Sequence, residues 1–194
     1  MRKKMIVAVL ALILVCGCVI GSTLAWLTAK TDPVQNTFTV GDITLTLEET
    51  TGGTYKMVPG TAMDKDPVVT VGAGSEACWV YVKVEKTGGG VTVGETTYSF
   101  DDFLTVTMAA GWTELEGVSG VYWRSVDSVG AEATELPVLL NNKIQTNAGV
   151  TKAMLNAITD ANKPVLTFTA YAVQKEAGEN ALAAWQATYG AGEE

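Results

Sequence analysis

The chain has 194 residues, with 21 acidic and 13 basic side chains, a net charge of −8 and no histidine. The acidic balance argues against nucleic acid or anionic lipid as a partner, since both call for a basic surface. The missing histidine excludes Ser-His-Asp and Cys-His catalysis, HExxH zinc chemistry and His-ligated metals.

Arg2-Lys3-Lys4 precedes an uncharged stretch from Met5 to Ala29. A charged start, an apolar run and a small-residue cleavage site define a secretory signal. Thr23 and Ala25 supply the small residues at −3 and −1, so cleavage is expected between Ala25 and Trp26. Residues 1–25 are then the signal, 26–35 the mature N-terminal segment, 36–190 the folded domain and 191–194 a frayed tail. Two other readings stay open. The stretch is long enough to span a bilayer as an uncleaved anchor, its N-terminus held inside by the three basic residues. Alternatively, Val15-Cys16-Gly17-Cys18 loosely resembles a lipobox, with Cys18 lipidated. All three put the body outside the cytoplasm, and in the cleaved case the membrane is met only through residues 1–25. The exported body keeps ten basic residues and all 21 acidic ones. It also keeps one cysteine, Cys78, which cannot form an internal disulfide, so the fold must rest on its core.

From Phe38 onward the apolar pattern has mostly period two, the signature of half-buried strands. Ile43, Leu45 and Leu47 alternate with Thr44 and Thr46. Asp66–Val71 is β-branched. In Ala77–Glu85, Cys78, Val80, Val82 and Val84 share one face, with Trp79, Tyr81, Lys83 and Glu85 on the other, which makes Cys78 a small core residue. Further strands are expected at Val91–Phe100, Phe103–Ala109, Gly120–Val126, Leu136–Leu140 and Pro164–Gln174. Turns fall at Thr51-Gly52-Gly53, Pro59-Gly60, Gly72-Ala73-Gly74, Gly88-Gly89-Gly90 and Gly117. Two short helices are expected. Thr151–Thr159 carries Met154, Leu155 and Ile158, and Glu179–Tyr189 carries Leu182, Trp185 and Tyr189, the latter stripe read as a lid over an open end of a sandwich. The predicted fold class is all-β, a jelly-roll-like β-sandwich with one or two short helices, preceded by an N-terminal hydrophobic helix.

Little in the body points to chemistry. Asp64-Lys65-Asp66 and Asp101-Asp102 could offer oxygen ligands to calcium, but neither has EF-hand spacing, and both read as solvated turn acids. Trp79, Trp112, Trp123 and Trp185 could stack on sugars; core or edge packing is the plainer reading. Gly88-Gly89-Gly90 precedes no Lys-Ser/Thr, so it reads as a hairpin turn and not a phosphate cradle. No catalytic residue, cofactor or metal site is expected.

One ordered set of residues carries a resemblance. A basic start, an apolar segment, Thr23-x-Ala25, a short polar stretch and then Asn36, Phe38, Gly41, Ile43, Leu45 and Leu47 stand in sequence. A weaker match follows at Pro59-Gly60, ahead of Lys65-Asp66 and a strand from Pro67 to Val71. This pattern, over roughly the first 85 residues, resembles the TasA and camelysin family, the exported proteins of Gram-positive bacteria processed by the SipW signal peptidase. The resemblance implies a jelly-roll-like domain at the cell surface that polymerises into biofilm matrix fibres, with itself or a related matrix subunit as partner. In such fibres a freed N-terminal segment acts as a donor strand for the next subunit. The candidate donor here is Trp26, Leu27, Thr28, Ala29, Lys30 and Thr31, ahead of Asp32 and Pro33; the alternative is a linker or the domain's own first edge strand. The camelysin branch carries a metallopeptidase label, which the lack of histidine disfavours. A secreted, non-enzymatic structural protein is therefore expected, with a monomeric carbohydrate- or protein-binding surface module as the alternative.

Overall fold

β-Branched and aromatic residues at alternate positions favour extended chain, because the pleat sends successive side chains to opposite faces. In the computed structural model, which describes residues 42–51 and 55–190, these stretches form antiparallel sheets with few helices. The strands are β1 (Leu45–Glu48), β2 (Ala62–Asp64), β3 (Val68–Val71), β4 (Cys78–Thr87), β5 (Val91–Val93), β6 (Thr96–Tyr98), β7 (Leu104–Thr105), β8 (Thr113–Glu114), β9 (Val121–Val126), β10 (Thr134–Pro137), β11 (Lys143–Thr146) and β12 (Val165–Gln174). The helices are α1 (Phe100–Phe103), α2 (Lys152–Asn156) and α3 (Ala181–Thr188). Two three-stranded sheets have the orders β1-β3-β10 and β2-β11-β7, a four-stranded sheet has β12-β4-β9-β8, and β5 and β6 form a hairpin.

One hydrophobic cluster joins the sheets. Val69 and Val71 of β3, Leu136 of β10 and Ile144 of β11 meet Cys78, Val80, Val82 and Val84 of β4, with Phe103 of α1 fully buried among them. Each such side chain contributes roughly 1.5–3 kcal/mol on leaving water. The even-numbered face of β4 is thus the core face, as its alternation predicts. Cys78 is fully buried there, and burial pushes its thiol above the ordinary range.

The opposite face of β4 is covered at its centre. Tyr81 is also fully buried, in a second cluster with Leu115, Val121, Ala181 and Trp185. Helix α3 lies over this outer face, so Trp185 does not close an open end of the sheets as its stripe suggests. It sits on Tyr81, with ring centroids 5.0 Å apart, and on Tyr171 of β12 at 5.3 Å. The Tyr81 hydroxyl donates to Ala181 O at 2.7 Å and so fixes the first turn of the helix. Asn180 caps that turn, accepting from Ala183 N at 2.9 Å.

Several sequence expectations are corrected. Val91–Phe100 is not one strand. Gly94, at φ +63°, turns it back on itself as β5 and β6, and the chain then enters α1. Phe103 ends that helix, and only Leu104–Thr105 of the expected Phe103–Ala109 strand pairs in a strand, with Met108 making a lone bridge to Leu139. The Leu136–Leu140 strand ends at Pro137. A tight turn at Leu140–Asn142, with Asn141 and Asn142 at positive φ, then opens β11. The Thr151–Thr159 helix covers only Lys152–Asn156, capped by Thr151, which accepts from Met154 N at 3.2 Å.

Gly88-Gly89-Gly90 joins no paired strands: β4 pairs with β9 and β12, and β5 with β6. It is not a hairpin turn. The triplet carries the chain tightly past another segment instead, with Gly89 N donating to Asn162 O at 2.7 Å.

Candidate functional site

The expected functional residues fall in the first sixty positions of the sequence. Thr23, Ala25, the candidate donor Trp26–Thr31, and Asn36, Phe38 and Gly41 lie outside the described residues. Ile43, Leu45 and Leu47 lie within them and pack against the core. Leu45 pairs with Val71 and Leu47 with Val69, while Thr46 and Glu48 alternate with them. The motif's aliphatic row is therefore the inward row of an edge strand.

Pro59-Gly60 forms a turn. Thr61 N donates to Val58 O at 3.1 Å, with proline in the second position and Gly60 at φ +74° in the third, the requirement of a type II turn. It does not lead straight into the Pro67–Val71 strand. The short strand β2 comes between, paired with β11.

Asp64, Lys65 and Asp66 hold the fold together. Asp64 pairs with Lys143. Lys65 is 7% exposed, and its ammonium meets both Glu49 carboxylate oxygens at 2.7 Å. It also stands 5.4 Å from the Tyr55 ring and 5.6 Å from that of Phe168. A charge this buried needs such a partner, so Lys65 is no solvated turn residue. Asp66 accepts from the main-chain N–H of Thr50 and Thr51, at 3.1 and 2.9 Å, and from both their hydroxyls. These bonds clasp the chain after β1 onto the start of β3. Asp101 pairs with Lys86 at 2.7 Å, and Asp102 caps α1 through Ser99 N at 2.7 Å. Among the described residues, no three acidic or cysteine side chains gather as a metal-binding group.

The threonine hydrogen bonds, which favour the ionised form, hold the Asp66 carboxyl far below the usual carboxylate range. A depressed folded pKa adds stability above the unfolded value of about 3.9, and that stability fades as pH falls below it. Asp66→Asn is therefore expected to lower the melting temperature at pH 7, with the gap from the parent protein narrowing below about pH 4. Thermal melts of both proteins between pH 2 and 7 check this; a gap independent of pH would contradict it.

The tryptophans are built in. Trp112 is buried and donates Nε1–H to Pro137 O at 2.9 Å, with the Arg124 guanidinium 5.6 Å from its ring. Trp79 and Trp123 meet edge to face at 5.3 Å on the outer face of the four-stranded sheet.

Two of the hollows in the described surface lie beside Asp101 and Lys65, respectively. A polar one of about 310 Å³ is bordered by Lys86, Asp101, Glu114 and Tyr122. An apolar crevice of about 350 Å³ is lined by Met57, Met63, Ile144, Ile158 and Leu166, with Lys65 inside. That crevice lies where β2 and the start of β12, both sheet edges, come near one another. Among the described residues β12 pairs only with β4, and its other edge, left unpaired there, is one that the motifs of the sequence do not flag. The signal for it is Val165–Gln174 itself, ten residues without a charge. No known protein family, curated protein or solved structure matches this chain.

Proposed function

We propose that this protein is a secreted structural component of an extracellular matrix, with a jelly-roll-like domain that assembles into or onto fibres by donation of its N-terminal strand. The observation that carries the reading is the ordered run from Thr23 to Leu47: an export segment, a cleavage site, a short apolar-bearing segment and a core strand. The inward packing of Ile43, Leu45 and Leu47 agrees with the last part of that run. The antiparallel all-β architecture suits assembly by strand addition, in which main-chain hydrogen bonds give affinity and alternate side chains give register. Head-to-tail contacts of this kind propagate as open filaments.

In this reading the signal peptidase frees Trp26, and Trp26, Leu27 and Ala29 insert into a neighbour while Pro33 ends the pairing. Deleting residues 26–32 from the mature protein is expected to abolish filaments seen by negative-stain electron microscopy, with the far-UV spectrum and melting temperature of the domain retained. Filaments of unchanged abundance would sink strand donation. A mature protein that stays monomeric at every concentration would favour the surface-binding module.

A further inference from the structure

A sheet edge displays unpaired N–H and C=O groups, and natural proteins blunt such edges with shortness, charge, proline or bulges. In the three larger sheets the edge strands β1, β2, β7, β8 and β10 have two to four residues each, and β10 carries Glu135 and Pro137. β12 has ten residues, Val165 to Gln174, with neither a charge nor a proline, and among the described residues it pairs only with β4.

Register decides which of its main-chain groups face outward. Lys175 N donates to Ala77 O at 3.0 Å, one step beyond the Gln174–Cys78 pair of the β12–β4 ladder. Antiparallel pairs alternate between bonded and non-bonded. Val165, Thr167, Thr169, Tyr171 and Val173 therefore bond to β4, while Leu166, Phe168, Ala170, Ala172 and Gln174 turn their groups to the free edge. The Tyr189 hydroxyl independently fits this parity, donating to Ala172 O at 2.9 Å. Ala172 is thus occupied at one end, and Pro164 at the other has no N–H to offer. Leu166, Phe168 and Ala170 remain between them, symmetric about Phe168.

We propose that this stretch of β12 is a homophilic interface, on which β12 of a second copy adds antiparallel about a two-fold axis through Phe168. Leu166 pairs with Ala170 of the second copy, Phe168 with its own equivalent, and Ala170 with Leu166. Each bonded pair exchanges two main-chain hydrogen bonds, and two four-stranded sheets become continuous.

Charge and pattern select a second copy as the occupant. With ten basic and 21 acidic residues in the exported body, two copies repel over most approaches, whereas β12 offers an uncharged strand. In this register no charged residue falls within the paired strands, and the flanking Lys163 and Lys175 fall opposite Val173 and Ala161. Core-facing residues lie beside core-facing residues, and threonines beside threonines. Val165, 43% exposed, gains Tyr171 of the second copy as a neighbour. The interface uses no residue of Trp26–Thr31.

Ala170→Pro tests it in the full mature chain. Proline there removes an N–H that faces the edge, not one that bonds to β4, a position edge strands tolerate. Sedimentation velocity over a concentration series is expected to show a dimer for the parent and at least tenfold weaker association for A170P, with the melting temperature nearly kept. Undiminished association, or a parent that never dimerises, overturns the interface. Should A170P fail to fold, cysteine pairing decides, since it leaves the main chain intact. Thr167 of one copy lies opposite Thr169 of the other, so oxidation is expected to crosslink a mixture of Thr167→Cys and Thr169→Cys proteins and neither one alone. Cys78 is buried and does not compete. Crosslinks in a single variant alone, or none in the mixture, overturn the register and with it the proposal.

Discussion

Replacing Gly88 with alanine is expected to cost about 2–5 kcal/mol of folding stability. Gly88 sits at φ +71°, where an L side chain is strained, and a Cβ on it would stand 2.0 Å from Lys163 O and 2.7 Å from Lys163 C. Both are main-chain atoms at the entrance to β12, so neither can swing aside as a side-chain tip would. Gly94→Ala is the control. Its φ of +63° is similar, but nothing lies within 4 Å of the added Cβ, so only the conformational cost of about 1–2 kcal/mol should remain. Urea unfolding of both variants measures the difference. Equal losses would mean that the close approach of the two segments contributes nothing, and that Gly88 serves only as a left-handed link. Against a typical domain stability of about 5–15 kcal/mol, the Gly88 change alone is a large fraction.

Trp185→Ala should cost about 3–5 kcal/mol, the usual range for removing a buried tryptophan. The residue is 6% exposed and touches Tyr81, Tyr171 and Tyr189, with centroids 5.0 to 5.3 Å apart. Its loss leaves α3 without its main anchor on the sheet, so faster amide exchange in Ala181–Thr188 should accompany the fall in stability. Tyr81→Phe is the milder companion. It removes the hydroxyl that satisfies Ala181 O and should cost about 1–3 kcal/mol. Burial drives the Tyr81 phenol well above its ordinary range, so it stays neutral and able to donate. If Trp185→Ala cost under about 1 kcal/mol, α3 would be a loosely laid appendage and not a second layer of the core.

The strands of strongest alternation are legible in the sequence. Val80, Val82 and Val84 follow one another at period two, and that spacing has only one half-buried solution. The same holds for Leu45 and Leu47. Gly88 misleads because glycine marks both a turn and a close approach, and only the pairing partners of β4 and β5 tell the two apart. Val91–Phe100 misleads because β-branched residues stand on both sides of Gly94, so propensity runs through a turn. β2 and β8 are illegible for a simpler reason: strands of two or three residues carry too little pattern to rise above their surroundings.

The burial of Lys65 has no local signal either. A lysine between two aspartates reads as solvated until Glu49, sixteen positions earlier, is brought to 2.7 Å from it. The outer face of β4 shows the same limit. Trp79, Tyr81 and Lys83 read as a mixed exposed face, and only the return of α3, a hundred residues later, makes Tyr81 core.

Local alternation is enough to specify the all-β character, the core face of β4 and the inward row of β1, because these depend on the chirality and pleat of a single strand. Which strands are neighbours, which edge is left open on β12 and which charged groups are buried emerge only in the folded chain. Those follow from contacts between residues far apart in the chain, and no local pattern encodes them.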